Sequence, residues 1–223
     1  MPYILPFFGV ILGALIALLI ENQKSSGIKL LLAFSGAFLM ALSLFDLLPD
    51  VYAHLDAKRA GVLIMSGILL QILLEFFSKG AEHGHVHLSS KKQKFPTLLL
   101  ISLGIHSFLE GFPLHSHENL MYAVLIHKIP IALLLTTYFI NLQLSKRVIV
   151  TAVLLFALMT PLGTWVSLSI LINETLIYSI NALIVGIFLH ISTTIIFESG
   201  DGHKFNLTKL VAIILGIVVA YFL

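Results

Sequence analysis

Eight apolar runs decide what this chain can fold into. They fall at about 3–20, 29–48, 61–78, 96–113, 120–141, 148–171, 175–197 and 207–223. A helix that crosses a bilayer needs about 20 residues, with a range of about 17–25, and every run fits. Backbone polar groups in hydrocarbon have to be bonded within their own segment, which favours helices. The runs lack the period-2 alternation of a membrane barrel. Composition agrees, with 58% apolar and 11% charged residues, against about 25% charged in soluble domains. The expectation is an all-α polytopic membrane protein, a bundle of eight transmembrane helices forming one domain over 1–223. The lipid bilayer is its surroundings, and no nucleic-acid partner is expected.

The charges fix an orientation. The connections after the first, third, fifth and seventh runs hold ten of the 13 Lys and Arg residues. The opposite side holds only Lys58 and Arg59, and Lys128 lies within the fifth run. The positive-inside rule then places both termini outside the cytoplasm. Seven or nine helices would destroy that segregation. No Lys or Arg precedes Lys24, so the first run reads as a retained helix and not a signal peptide. A multi-pass protein of a cytoplasmic (inner or plasma) membrane is expected. Tyr3, Tyr52 and Tyr122 lie near helix ends and read as interface anchors.

Within this apolar frame, residues 106–130 stand out. His106 and Glu110 are i and i+4 on the fourth helix, so they share a face about 6 Å apart along the axis. His127 lies on the fifth helix, and a hairpin returns it to a similar depth, about 10 Å below the outer ends. With no cysteine in the chain, a metal has to be held by imidazole, carboxylate, other oxygens or water. Two imidazoles and a carboxylate inside a bundle point to a divalent transition metal, zinc first. The alternative is a polar cluster that glues helices together. Pro130 frees the carbonyl of Ile126 and Pro161 that of Ala157, so kinked backbone lining a cavity is expected near the histidines.

Other polar residues have two readings each. Lys128 pairs with Glu110, snorkels outward, or acts beside the site. His190, deep in the inward half of the seventh helix, is a later station on a path or a hydrogen-bonded core histidine. Asp46, Asp50, His115, His117 and Glu118 line the outer mouth, and Asp46 and Asp50 also read as simple interfacial residues, like Glu75 and Glu198 at the other face. In the cytoplasmic loop 79–95, His83, His85 and His87 are a weak metal-capture tract or a linker.

The sequence resembles the ZIP family of metal transporters (Zrt- and Irt-like proteins). The family's fourth helix carries His-x-x-x-Glu-Gly, matched by His106 to Gly111, and its fifth-helix motif begins at a position matched by His127. Ala33-Phe34-Ser35-Gly36-Ala37-Phe38 through Leu47-Leu48-Pro49-Asp50 is similar to its second helix, and Met159-Thr160-Pro161-Leu162-Gly163 to its sixth. The resemblance implies import of Zn²⁺, or in some members Fe²⁺, Mn²⁺ or Cd²⁺, toward the cytoplasm. It also implies two adjacent metal sites in many members. Here the sequence departs. Ser107 stands where those members carry Asn, Lys128 where they carry an acid, and Ile131 where they carry a second one. Ser107 with Lys128 resembles a eukaryotic subgroup with His-Ser and His-Lys motifs.

The functional expectation is therefore an eight-span importer of divalent metal, with His106, Glu110 and His127 as the site and Ser107 or water completing it. Lys128 takes the place of a second metal. The metal is the transported substrate; no organic cofactor is expected, and a homodimer is compatible with the chain. Two other classes compete. An intramembrane zinc hydrolase is one, though no His-Glu-x-x-His and no spare acid supply a general base. A metal sensor without flux is the other.

Overall fold

The computed structural model describes residues 2–19, 25–78, 95–169, 174–198 and 207–223, and these residues form helices and the turns between them. After a short 3-10 turn at Pro2–Ile4, α1 spans Leu5–Leu19. α2 runs Ser25–Leu42, passes through a π-helical turn at Ser43–Leu47 and ends as Leu48–His54. α3 is Ala57–Ser78 and α4 is Thr97–Glu110, followed by a 3-10 turn at Phe112–His115. α5 is Glu118–Asn141, α6 Lys146–Ser169, α7 Glu174–Glu198 and α8 Leu207–Tyr221. α2 to α7 are long and apolar enough to cross a membrane, while α1 and α8 are shorter apolar helices. Their 15 residues each make about 22 Å, less than the roughly 30 Å hydrocarbon core. The expected all-helical, eight-helix architecture is what is observed. The His83, His85 and His87 tract lies outside the described residues.

Two local differences from expectation matter. α2 continues to His54, so Asp46 and Asp50 lie within a helix and do not end it. Pro49 has no N–H to give to the carbonyl of Phe45, and just before it the Leu48 N–H bonds to the carbonyl of Ser43, five residues back. The helical ladder thus slips by one residue to accommodate the proline. Pro130 and Pro161, by contrast, sit inside uninterrupted helices.

The helices associate in two groups. α1 packs on α5 and α6, and α4 packs on α6; α3 packs on α7, and α2 on α7 and α8. α2 against α5 and α3 against α4 join the groups. In a bilayer such contacts rest on close packing and small residues, because lipid tails are as apolar as leucine. Gly111 on the α4 side and Gly163 on α6 show the requirement. A Cβ on Gly163 would land on the carbonyl oxygen of Phe108, and one on Gly111 on that of Thr160. Gly67 and Gly186 bring α3 and α7 together in the same way.

Among the described residues the buried apolar side chains form three clusters, two of which flank the polar residues of α4 and α5. One apolar cluster joins Leu114, Leu120, Ala123 and Val124 to α2, α3 and α7. Another joins Leu99, Leu103, Ile131 and Leu135 to α1 and α6. Residues 106–110 and 127–128 lie between them in sequence on α4 and α5. His106, Ser107, Glu110, His127 and Lys128 are all buried there.

Candidate metal centre

The helical spacing of His106 and Glu110 is realised directly: His106 Nε2 lies 2.9 Å from Glu110 Oε1. His127 comes across from α5. Ligand atoms of His106, Glu110 and His127 all lie within 4.8 Å of one another, and all three residues are buried. Zinc bonds of about 2.0–2.2 Å place tetrahedral ligands roughly 3.4 Å apart, so a small contraction closes the set around an ion. It is the one group of three or more such residues with this geometry among the described residues.

Lys128 does not snorkel. It is 1% exposed, and its ammonium forms an ion pair with Glu110 Oε2. The two carboxylate oxygens of Glu110 are thus divided, one toward His106 and one toward Lys128. Lys128 Nζ also donates to Ser107 Oγ at 2.7 Å and stands 4.9 Å above the Phe156 ring. Removing charge from water inside a protein costs several kcal/mol per ion unless it is paired and hydrogen-bonded. Here an ion pair, a hydroxyl and an aromatic face together compensate the amine.

A third helix completes the support, and the sequence reading missed it. Ser107 Oγ meets Thr160 Oγ1 at 3.0 Å, and Thr160 Oγ1 donates to the Ser107 carbonyl at 3.0 Å. Thr164 Oγ1 donates to the Gly111 carbonyl at 2.7 Å, and Ser167 Oγ to that of Phe112 at 3.1 Å. α4 ends here inside the bundle, where its last carbonyls lack helical partners. The hydroxyls of α6 supply them. The signal was present as hydroxyls at 160, 164 and 167, an i, i+4, i+7 stripe on one helix face.

The other candidates lie apart. At the rim, Asp50 Oδ1 is 3.3 Å from His54 Nδ1 and Asp50 Oδ2 is 3.3 Å from His117 Nε2. His54 was not singled out from sequence; its ring stacks on Tyr178 at 3.8 Å. His115 Nδ1 lies 2.9 Å from the Phe112 carbonyl and 3.3 Å from Ser167 Oγ. Asp46 is half-buried in the π-helical turn and Glu118 is exposed at the start of α5. His190 stands away from the buried set and pairs through Nε2 with Glu75 Oε2 at 2.7 Å, joining α7 to α3.

A family model described as "ZIP Zinc transporter" matches residues 80–223, well over half of the chain and the part that holds all of α4 to α8. The chain belongs to the ZIP zinc transporter family. A ZIP relative, "Zinc transporter ZIP1" of Homo sapiens, is 26% identical over 190 residues, which cover 63% of this chain and 59% of that protein. The chain therefore spans less than two thirds of the length of the curated relative it matches. As a ZIP member with six helices of spanning length and two shorter apolar ones, the chain is a multi-pass membrane protein.

Proposed function

We propose that this chain moves a divalent metal ion, Zn²⁺ first, through the membrane into the cytoplasm, with His106, Glu110 and His127 as the ligands in transit. The observation that carries this reading is the convergence of these three groups, within 4.8 Å and out of contact with water, inside a bundle of membrane-length helices. Imidazole and carboxylate suit borderline metals, so Fe²⁺, Mn²⁺ and Cd²⁺ are further substrates of the same donor set. The Ser107 hydroxyl is already engaged by Lys128 and Thr160, so water is the better fourth donor. A weak, incomplete shell suits a carrier, which has to release its ion. His190 with Glu75, between α7 and α3, is a later station on the inward side.

The charge distribution supports a single transmembrane unit over 1–223 in a cytoplasmic membrane, with both termini outside. The acid-rich rim of Asp46, Asp50, His115, His117 and Glu118 then faces the source of metal. Membership of a transporter family argues against the hydrolase alternative. So does the commitment of Glu110, whose two oxygens already face His106 and Lys128. Uptake of ⁶⁵Zn into proteoliposomes, with competing metals, tests the proposal. Saturable flux lost in His106→Ala supports it; binding without flux indicates the sensor.

A further inference from the structure

We propose that Lys128 is a tethered counter-cation that neutralises Glu110 whenever no metal is bound, so that the empty site crosses between its two exposed states without a lone buried charge. This inference rests on the transport reading above and concerns the half of the cycle in which nothing is carried.

The argument is one of charge. A carrier has to present its site to one side loaded and return it empty. The site here is closed to bulk solvent, with His106, Glu110, His127 and Lys128 each at most 2% exposed. Without Lys128, the empty set would hold a carboxylate with no permanent cation beside it. A single buried charge is costly, and more so at membrane depth. With Lys128 the carboxylate has a permanent cation paired to it. The amine is also held where it has to be. Glu110 Oε2 and Ser107 Oγ at 2.7 Å bind it, the Phe156 ring stands 4.9 Å away, and Thr160 fixes Ser107 in turn. A lysine stem carries four rotatable carbons, and leaving it so fully engaged removes most of that freedom. Such anchoring is more than a helix contact requires, since α4 and α6 already lock through Gly111 and Gly163.

The same charge works in the opposite sense once metal is present. An ammonium beside a divalent ion repels it, and the ion competes with the ammonium for Glu110. Lys128 thus weakens the loaded form and stabilises the empty one, and both effects favour release. It also occupies the Oε2 of Glu110 that a second ion would need, so one metal occupies the α4–α5 set.

The experiment separates the two half-cycles. In proteoliposomes, metal-for-metal exchange of ⁶⁵Zn uses only the loaded form, while net uptake needs the empty return. Lys128→Met is expected to bind Zn²⁺ more tightly, and its metal-for-metal exchange should fall much less than its net uptake. Its net uptake should fall by at least about tenfold, because the return now carries a lone carboxylate. Lys128→Arg should keep part of the net uptake, since the cation remains. Loss of both activities in parallel, or loss of neither, overturns the inference. Should Lys128→Met fold poorly, the ratio of the two rates in Lys128→Arg and Lys128→Gln decides the matter: a ratio unchanged from the natural protein in both overturns it as well. If the natural protein exchanges no metal at all, the transport reading falls first, and this inference with it.

Discussion

The buried set and the rim set are built from the same chemistry and live under opposite conditions. In the centre, Glu110 lies between His106 and Lys128, out of water. At the rim, Asp50 lies between His54 and His117 with 31% of its side chain exposed. From His117 to His127 along α5 is about 15 Å. Over that distance a carboxylate flanked by two basic groups changes from a group that water can solvate to one that depends on its partners. Inside, breaking one member strands the others. Outside, water replaces whatever is lost. α6 ties down the end of α4 beside the central set through Thr160, Thr164 and Ser167, and Ser167 also reaches His115 of the rim.

The sharpest way to break this contrast is Glu110→Ala. It removes a ligand and leaves the Lys128 ammonium buried without its carboxylate. Uptake should fall to background, and the loss of a buried pair member should cost about 3–5 kcal/mol. Thermal unfolding in detergent measures the second effect. Adding Lys128→Met to Glu110→Ala should restore most of the stability and none of the flux. If the double variant is no more stable than Glu110→Ala alone, the central pair is not what holds the site together.

Next in size are His106→Ala and His127→Ala. Each removes one imidazole from a three-ligand set, and each should reduce ⁶⁵Zn uptake by more than the about 10–100-fold that follows loss of an outer-shell partner of a metal ligand. Neither leaves an unpaired ion, so the fold should tolerate both better than Glu110→Ala. Near-normal flux in both would sink the ligand assignment.

What the sequence made legible follows from one-dimensional rules. Span lengths, charge segregation and an i, i+4 pair are visible along a string, and the eight helices and the His106–Glu110 pair rest on nothing else. His127 needed only the hairpin between α4 and α5. What was hidden depends on where non-adjacent helices turn their faces. Lys128 had three open readings because only the packing of α6 shows Phe156 beneath it and Thr160 behind Ser107. His54 drew no reading because it lies beyond residue 48, where α2 was expected to stop, and the slipped ladder before Pro49 was not anticipated. His190 was left between two readings until α3 placed Glu75 against it. The grouping of α1, α4, α5 and α6 apart from the other helices has no sequence signal of its own.

A third test asks whether the rim and the centre differ in access as they do in burial. Ser116, beside His117, is exposed, whereas Ser107 is fully buried. In whole cells, Ser116→Cys should react with an impermeant thiol reagent and Ser107→Cys should not. Labelling of Ser116→Cys only in inverted membranes would reverse the proposed orientation and with it the direction of transport.

The smallest effect is expected from Asp50→Asn, and its smallness is the point. The substitution keeps size and shape, removes one charge, and leaves His54 and His117 facing an amide that also bonds to imidazole. His54 retains its contact to the Asp50 carbonyl, 2.9 Å from Nδ1, and its stack on Tyr178. Exposed ion pairs are worth about 0–1 kcal/mol and are screened by salt. Unfolding of Asp50→Asn should therefore differ from the natural protein by less than about 1 kcal/mol, and the difference should shrink further in high salt. The loss in Glu110→Ala should persist in high salt, because buried pairs are screened far less than exposed ones and Glu110 and Lys128 are both buried. Uptake by Asp50→Asn should keep its maximal rate, with at most a modest rise in the metal concentration needed for half of it. A stability loss matching that of Glu110→Ala would show that the rim is as dependent on its charge as the centre, and the contrast between them would be wrong.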